Sequence, residues 1–155
     1  MPRHRHAPPL LATRQLRAEH RRIEQTLALL LNDPDVERAT LRQCAYDVAA
    51  HLLADASLLY PIVERAWHRQ LVELRDLQQR MQLLLAKITA RNLHPRWRKA
   101  HLRDLQAAFR DHARLEDEAA LPWLEGATST ASLEDLGRRI RTFRAILLER
   151  SNEGG

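Results

Sequence analysis

The chain has 155 residues, with 25 Lys or Arg, 20 Asp or Glu and a formal net charge of +5. This length favours one domain with a hydrophobic core. A single cysteine excludes an intramolecular disulfide framework and a zinc cluster built on cysteines. The charged N-terminal residues lack the apolar segment of a signal peptide. No apolar run reaches the roughly 20 residues that a membrane-spanning helix needs, so we expect a cytoplasmic protein that binds no membrane.

The basic residues are spread along the whole chain, and nearly all of them are arginine. Proteins that bind nucleic acid usually gather such residues on one patch. The distribution instead favours a solvated helical surface, and nucleic-acid binding is not expected.

Five helices are predicted, because glycine is rare and Leu, Ala, Arg, Glu and Gln dominate the composition. Asp33 and His94 each precede a proline, as a capping residue precedes the first turn of a helix. Ser132 begins a capping-box pattern. The predicted helices cover residues 10–32, 35–66, 69–92, 95–124 and 132–150.

The predicted fold class is all-α, an up-down four-helix bundle with a fifth helix at the C-terminus. The expected organisation is a flexible tail over residues 1–9, the bundle over 10–125 and a linker over 126–131. The last helix, over 132–150, is expected to pack on the bundle.

Each of the first four helices carries an apolar stripe with steps of three and four residues, as the core of a bundle requires. The stripes of the second and fourth helices are predicted to end in Leu58 and Ile62, and in Ala119 and Trp123. Five stripe positions are polar: His20, His51, Asp55, His112 and Glu116.

Four of these polar residues form two pairs with i, i+4 spacing, which places both members on one helix face. Burying five such groups costs several kcal/mol unless they are paired or bound to a metal. Imidazoles and carboxylates that face the interior of a bundle are typical of a non-haem iron or manganese site.

The two pairs belong to an internal repeat, because residues 51–64 align without gaps with residues 112–125. In both copies a proline follows the histidine by ten residues, and a glutamate follows the proline by three. The repeat predicts two helical hairpins related by a pseudo-twofold axis, with a metal or metal pair on that axis.

At these residues the sequence resembles the hemerythrin-like (HHE cation-binding) family. The similarity lies in a histidine on helix 1, in His-x-x-x-carboxylate pairs on helices 2 and 4, and in the segment Leu59-Tyr60-Pro61. It covers roughly residues 12–125 and implies a four-helix bundle around a non-haem di-iron centre. The resemblance implies these metal ligands: His20, His51, His112 and Glu116, with Asp55 at the position of a family glutamate. Leu74 stands where the family has a histidine on helix 3.

The resemblance also implies iron, one or two ions per chain, and a function in binding or sensing O2, NO or peroxide, or in iron handling. Because Leu74 cannot coordinate, three states of the site remain open. A two-metal site could be completed by water or another ligand, a single metal could be held by some of the five residues, or the site could be metal-free and hydrogen-bonded.

The alternative function is a metal-free bundle that acts as a regulatory or partner-binding module. No acid–base pair beyond the ligands is evident, so an enzymatic turnover is not predicted. The sequence indicates neither a partner protein nor an oligomeric state.

Overall fold

The computed structural model describes residues 11–33 and 35–153, which form helices and no strand. The all-α class is therefore confirmed, while the predicted tail over 1–9 lies outside the described residues. No described helix is both long and apolar enough to pass through a bilayer. The five helices are α1 (Ala12–Asn32), α2 (Arg38–Ala54, continued by Asp55–Leu59 and Tyr60–Val63), α3 (His68–Ile88), α4 (Pro95–Leu115, continued by Glu116–Ala120 and Leu121–Ala127) and α5 (Thr130–Glu153).

One of the three predicted helix starts is confirmed. His94 caps α4, because its Nδ1 atom accepts the backbone N–H of Arg96 at 3.2 Å and Pro95 follows in the first turn. Asp33 instead ends α1, and its side chain accepts the backbone N–H of Asp35 at 2.9 Å, so that α2 begins at Arg38.

The start of α5 also differs from the prediction. The Oγ atom of Ser129 accepts the backbone N–H of Ser132 at 3.2 Å, so the cap lies three residues earlier than expected. Because α4 continues to Ala127 and α5 begins at Thr130, only residues 128–129 separate them, where a linker over 126–131 was expected.

Helices α1 to α4 enclose a common interior. Helix α1 packs against α2 and α4, and α3 packs against the same two helices, while α5 lies outside against α1 and α2. The interior contains two apolar clusters. The upper cluster includes Ile23, Leu27, Val48, Leu52, Met81, Leu105 and Phe109. The lower cluster includes Leu16, Leu59, Tyr60, Leu71, Leu74, Leu121, Leu124 and the α5 residues Leu133, Leu136 and Ile140.

A polar layer lies between the two clusters on each of the four helices. The residues of this layer are buried. Along each helix, residues of the upper cluster lie on one side of the layer and residues of the lower cluster lie on the other side. The polar layer consists of His20, His51, Asp55, Gln78, His112 and Glu116.

Both carboxylates of the polar layer begin a π-helical turn, Asp55–Leu59 in α2 and Glu116–Ala120 in α4. In such a turn the backbone N–H bonds to the carbonyl five residues earlier, as Tyr60 does to Asp55 and Leu121 does to Glu116. The turn therefore holds one residue more than an α-helical turn. A proline follows each turn, and since proline donates no backbone hydrogen bond, a departure from α-helical bonding costs less there.

The extra residue changes which side chains are buried beyond each carboxylate. In α2, Leu59 and Val63 are buried, whereas the predicted Leu58 is only partly buried and Ile62 is exposed. The corresponding residues of α4 are Ala120 and Leu124, instead of Ala119 and Trp123. The ends of both predicted stripes are thus wrong, because they assume a continuous α-helix.

The only cysteine, Cys44, is buried in the upper cluster, and burial raises the pKa of its thiol to about 11. Since the thiolate is the reactive form, we expect Cys44 to react with a disulfide reagent such as DTNB much more slowly in the folded protein than in guanidinium. Rapid reaction of the folded protein would contradict the burial of Cys44.

Candidate metal centre

Five side chains from α1, α2 and α4 meet in the polar layer, and they are the five that the stripe analysis singled out: His20, His51, Asp55, His112 and Glu116. None of them is more than 1% exposed. One nitrogen of each imidazole and one oxygen of Glu116 lie within 4.8 Å of one another. The arrangement thus offers nitrogen and oxygen donors to a single small volume, which could hold a metal ion.

The Nε2 atoms of the three imidazoles face this volume. His51 Nε2 lies 3.3 Å from His112 Nε2 and 3.1 Å from Asp55 Oδ2. His112 Nε2 lies 3.3 Å from Asp55 Oδ2 and 3.5 Å from Glu116 Oε1. His20 Nε2 lies 3.2 Å from Glu116 Oε2. Asp55 therefore joins the group through His51 and His112, on the side away from His20.

Several atoms that face this volume are buried and make no hydrogen bond. They are Nε2 of His20, both carboxylate oxygens of Asp55 and Oε2 of Glu116. An unsatisfied buried polar atom costs about 1–3 kcal/mol, and a metal ion would satisfy all four atoms together. The donor set therefore fits a metal ion better than it fits a closed network of hydrogen bonds.

The outward-facing nitrogens of the imidazoles have different partners. His51 Nδ1 lies 3.0 Å from Glu19 Oε2, and His20 Nδ1 lies 2.8 Å from Asp117 Oδ1, whereas His112 Nδ1 is buried without a partner. A carboxylate at this position orients a histidine ligand and fixes its tautomer. The sequence analysis missed Glu19 and Asp117, because each lies beside a stripe residue and outside the stripe itself.

The protonation of the site reflects these contacts. Burial alone would lower the pKa of His20, but its hydrogen bond with Asp117 and the nearby carboxylate of Glu116 raise it to about 10. Burial and the charge of Glu116 raise the pKa of Asp55. Burial would also raise the pKa of Glu116, but His112 and His20 lower it. The raised pKa values of His20 and Asp55 favour their protonated forms, so metal binding would release protons from the site.

Tyr60 is a further buried residue at the site, and its hydroxyl donates a hydrogen bond to Glu116 Oε1 at 3.1 Å. Burial and the charge of Glu116 raise the pKa of Tyr60, so its hydroxyl keeps the proton that it donates. The hydrogen bond fixes the carboxylate of Glu116 within the polar layer.

Helix α3 contributes no donor to the group. Leu74 is buried in the lower cluster. One turn later, the amide of Gln78 donates to the backbone carbonyl of Leu52 at 2.8 Å. The ligands that the structure offers thus come from α1, α2 and α4.

The fold and the site define an all-helical protein with a buried histidine–carboxylate cluster that could bind a metal. No model of a protein family matches the chain, and neither a curated protein nor a solved structure matches it.

The hydrogen bond from Tyr60 can be tested against a matched control, because the chain has two tyrosines. In the metal-free protein, Tyr60→Phe leaves an oxygen of the buried Glu116 without its donor, and we expect the free energy of unfolding to fall by about 1–3 kcal/mol. The hydroxyl of Tyr46 is buried without a partner, so Tyr46→Phe should leave stability unchanged or raise it. Urea denaturation measures both, and equal losses would contradict the role assigned to the Tyr60 hydroxyl.

Proposed function

We propose that this chain is a hemerythrin-like protein, an up-down four-helix bundle that binds one non-haem iron ion in its polar layer and uses it to bind or sense a small ligand such as O2 or NO. The observation that supports it best is the convergence of five buried donor side chains, three of which, His20, Asp55 and Glu116, carry atoms without a hydrogen-bond partner. The internal repeat and the packing of α1 to α4 around one interior agree with that family's architecture.

The spacing of the donor atoms favours one ion over two. Donors bound about 2.1 Å from one ion lie about 3.0 Å apart when adjacent and about 4.2 Å apart when opposite. The adjacent donors here are 3.1–3.5 Å apart, and the group of four spans at most 4.8 Å. Two ions about 3.5–4 Å apart would spread their outer donors over a longer span. Leu74 also removes one ligand of a two-ion site.

The donor types favour iron. Three imidazoles and two carboxylates combine the ligands that suit Fe and Mn, and no thiolate is near, since Cys44 lies in the upper cluster. The four donors of the compact group, on His20, His51, His112 and Glu116, would leave an open position on a six-coordinate ion, at which iron would supply binding to a small ligand.

Phe109 restricts what can reach that position. It is fully buried on the upper side of the centre, and its ring centroid lies 6.1 Å from that of His20 and 5.8 Å from those of His51 and His112. An apolar ring against all three imidazoles shields the centre from water on this side.

Anaerobic titration of metal-free, untagged protein with Fe(II), with elemental analysis of the product, tests the proposal. We expect one equivalent per chain. Iron at about 100 times its Kd should add about 2.7 kcal/mol to the stability and raise the melting temperature by several degrees. His112→Ala and Glu116→Ala should abolish both effects, whereas His68→Ala, a change at an exposed histidine, should preserve them.

Other stoichiometries would change the conclusion. Two equivalents per chain would establish a two-iron centre despite Leu74. No binding of iron, and no difference between the His112 and His68 variants, would overturn the proposal and favour the metal-free regulatory module.

A further inference from the structure

A chain of polar contacts connects the C-terminal helix α5 to the metal centre. Arg144 of α5 donates to Glu19 Oε1, and the other oxygen of Glu19 lies 3.0 Å from His51 Nδ1. The side chains become more buried along this chain, from 19% exposed at Arg144 to 7% at Glu19 and 0% at His51. A second contact of the same kind runs beside it, since Arg141 donates to Gln15 at 3.3 Å.

Glu19 determines which nitrogen of His51 can bind a metal. An ionised carboxylate only accepts hydrogen bonds, so the proton of the neutral imidazole must lie on Nδ1, and the lone pair must lie on Nε2. That nitrogen is the one that faces Asp55 and His112. Arg144 binds the other oxygen of Glu19 and so holds this carboxylate in place.

The three imidazoles differ in the partner of their outward-facing nitrogen, Nδ1. The partner of His20 is Asp117, a residue of α4, and the Nδ1 atom of His112 has no partner. Among the polar contacts of the described residues, His51 is therefore the candidate ligand that is connected to α5, through Glu19 and Arg144.

The far half of α5 depends on these polar contacts. Leu133, Leu136 and Ile140 anchor its first half in the lower cluster. Beyond Ile140 none of the described apolar side chains is fully buried, since Phe143 and Leu147 are partly buried and Ile146 and Leu148 are 45% and 49% exposed. The contacts of Arg141 and Arg144 thus hold a segment that apolar packing holds only weakly.

We propose that Arg144 is a positioning residue for the metal centre and that, through Glu19 and His51, metal binding and the docking of the far half of α5 stabilise each other. This inference rests on the proposed metal binding. Because coupling between two sites is reciprocal, iron should hold α5 against α1, and the loss of Arg144 should weaken iron binding.

Fe(II) affinity and backbone hydrogen exchange of the full chain, with and without Fe(II), test the coupling. In the unaltered protein we expect Fe(II) to slow exchange over residues 141–150. Arg144→Ala should remove this protection and raise the Kd for Fe(II) about 5-fold or more, and Glu19→Gln should raise it about 10–100-fold. The control is Arg138→Ala, because Arg138 pairs only with Asp135 of its own helix at 3.2 Å, and both side chains are largely exposed. It should change neither quantity.

The outcomes separate the two proposals. If the unaltered protein binds no Fe(II), the proposed function fails, and the coupling fails with it. If it binds Fe(II) but exchange over residues 141–150 is the same with and without the metal, only the coupling is overturned. The same holds if Arg144→Ala and Arg138→Ala give equal affinities. Because the exchange of the unaltered protein decides the question alone, a variant that fails to fold does not remove the test.

Discussion

The burial of five ionisable side chains at mid-depth in a helical interior is the constraint on which the rest of the structure depends. Apolar clusters lie above and below the polar layer, so water cannot satisfy these groups. Each must find a charge, a hydrogen bond or a metal within reach. Tyr60, Glu19 and Asp117 meet part of this demand from outside the layer, while atoms of His20, Asp55, His112 and Glu116 have no hydrogen-bond partner.

The two copies of the internal repeat are alike in backbone and different in chemistry. Both carry histidine, carboxylate, π turn and proline in the same order. Yet the pKa of Asp55 is raised and that of Glu116 is lowered, because burial dominates at Asp55 whereas His112 and His20 outweigh burial at Glu116. Helices α1 and α3 differ further, since His20 has only Leu74 as its counterpart. The centre is therefore asymmetric, which agrees with a single ion better than with a symmetric pair.

The residues of the centre were predictable because a polar side chain at a stripe position must be buried whatever the details of the packing, as His112 shows. Glu19 and Asp117 were not, because their contacts depend on how far each helix is rotated relative to its neighbours. The error at Ile62 has another cause, since a period of 3.6 residues does not describe a π turn. The sequence feature that could have indicated the two π turns is the proline that follows each repeat histidine by ten residues. The start of α2 was predicted at residue 35 and lies at Arg38, because Asp33 closes a turn instead of capping a helix.

The two π turns also separate tasks that a continuous helix would have to combine. The part of α2 before its π turn places His51 in the polar layer, and the part after it places Val63 in the lower cluster, which also holds residues of α5. Because the inserted residue sets the rotation of one part relative to the other, the buried face of the second part does not have to continue the face that carries His51. A substitution at Val63 can therefore change the packing of the lower cluster while the position of His51 stays the same, whereas Tyr60 belongs to both regions because its hydroxyl binds Glu116.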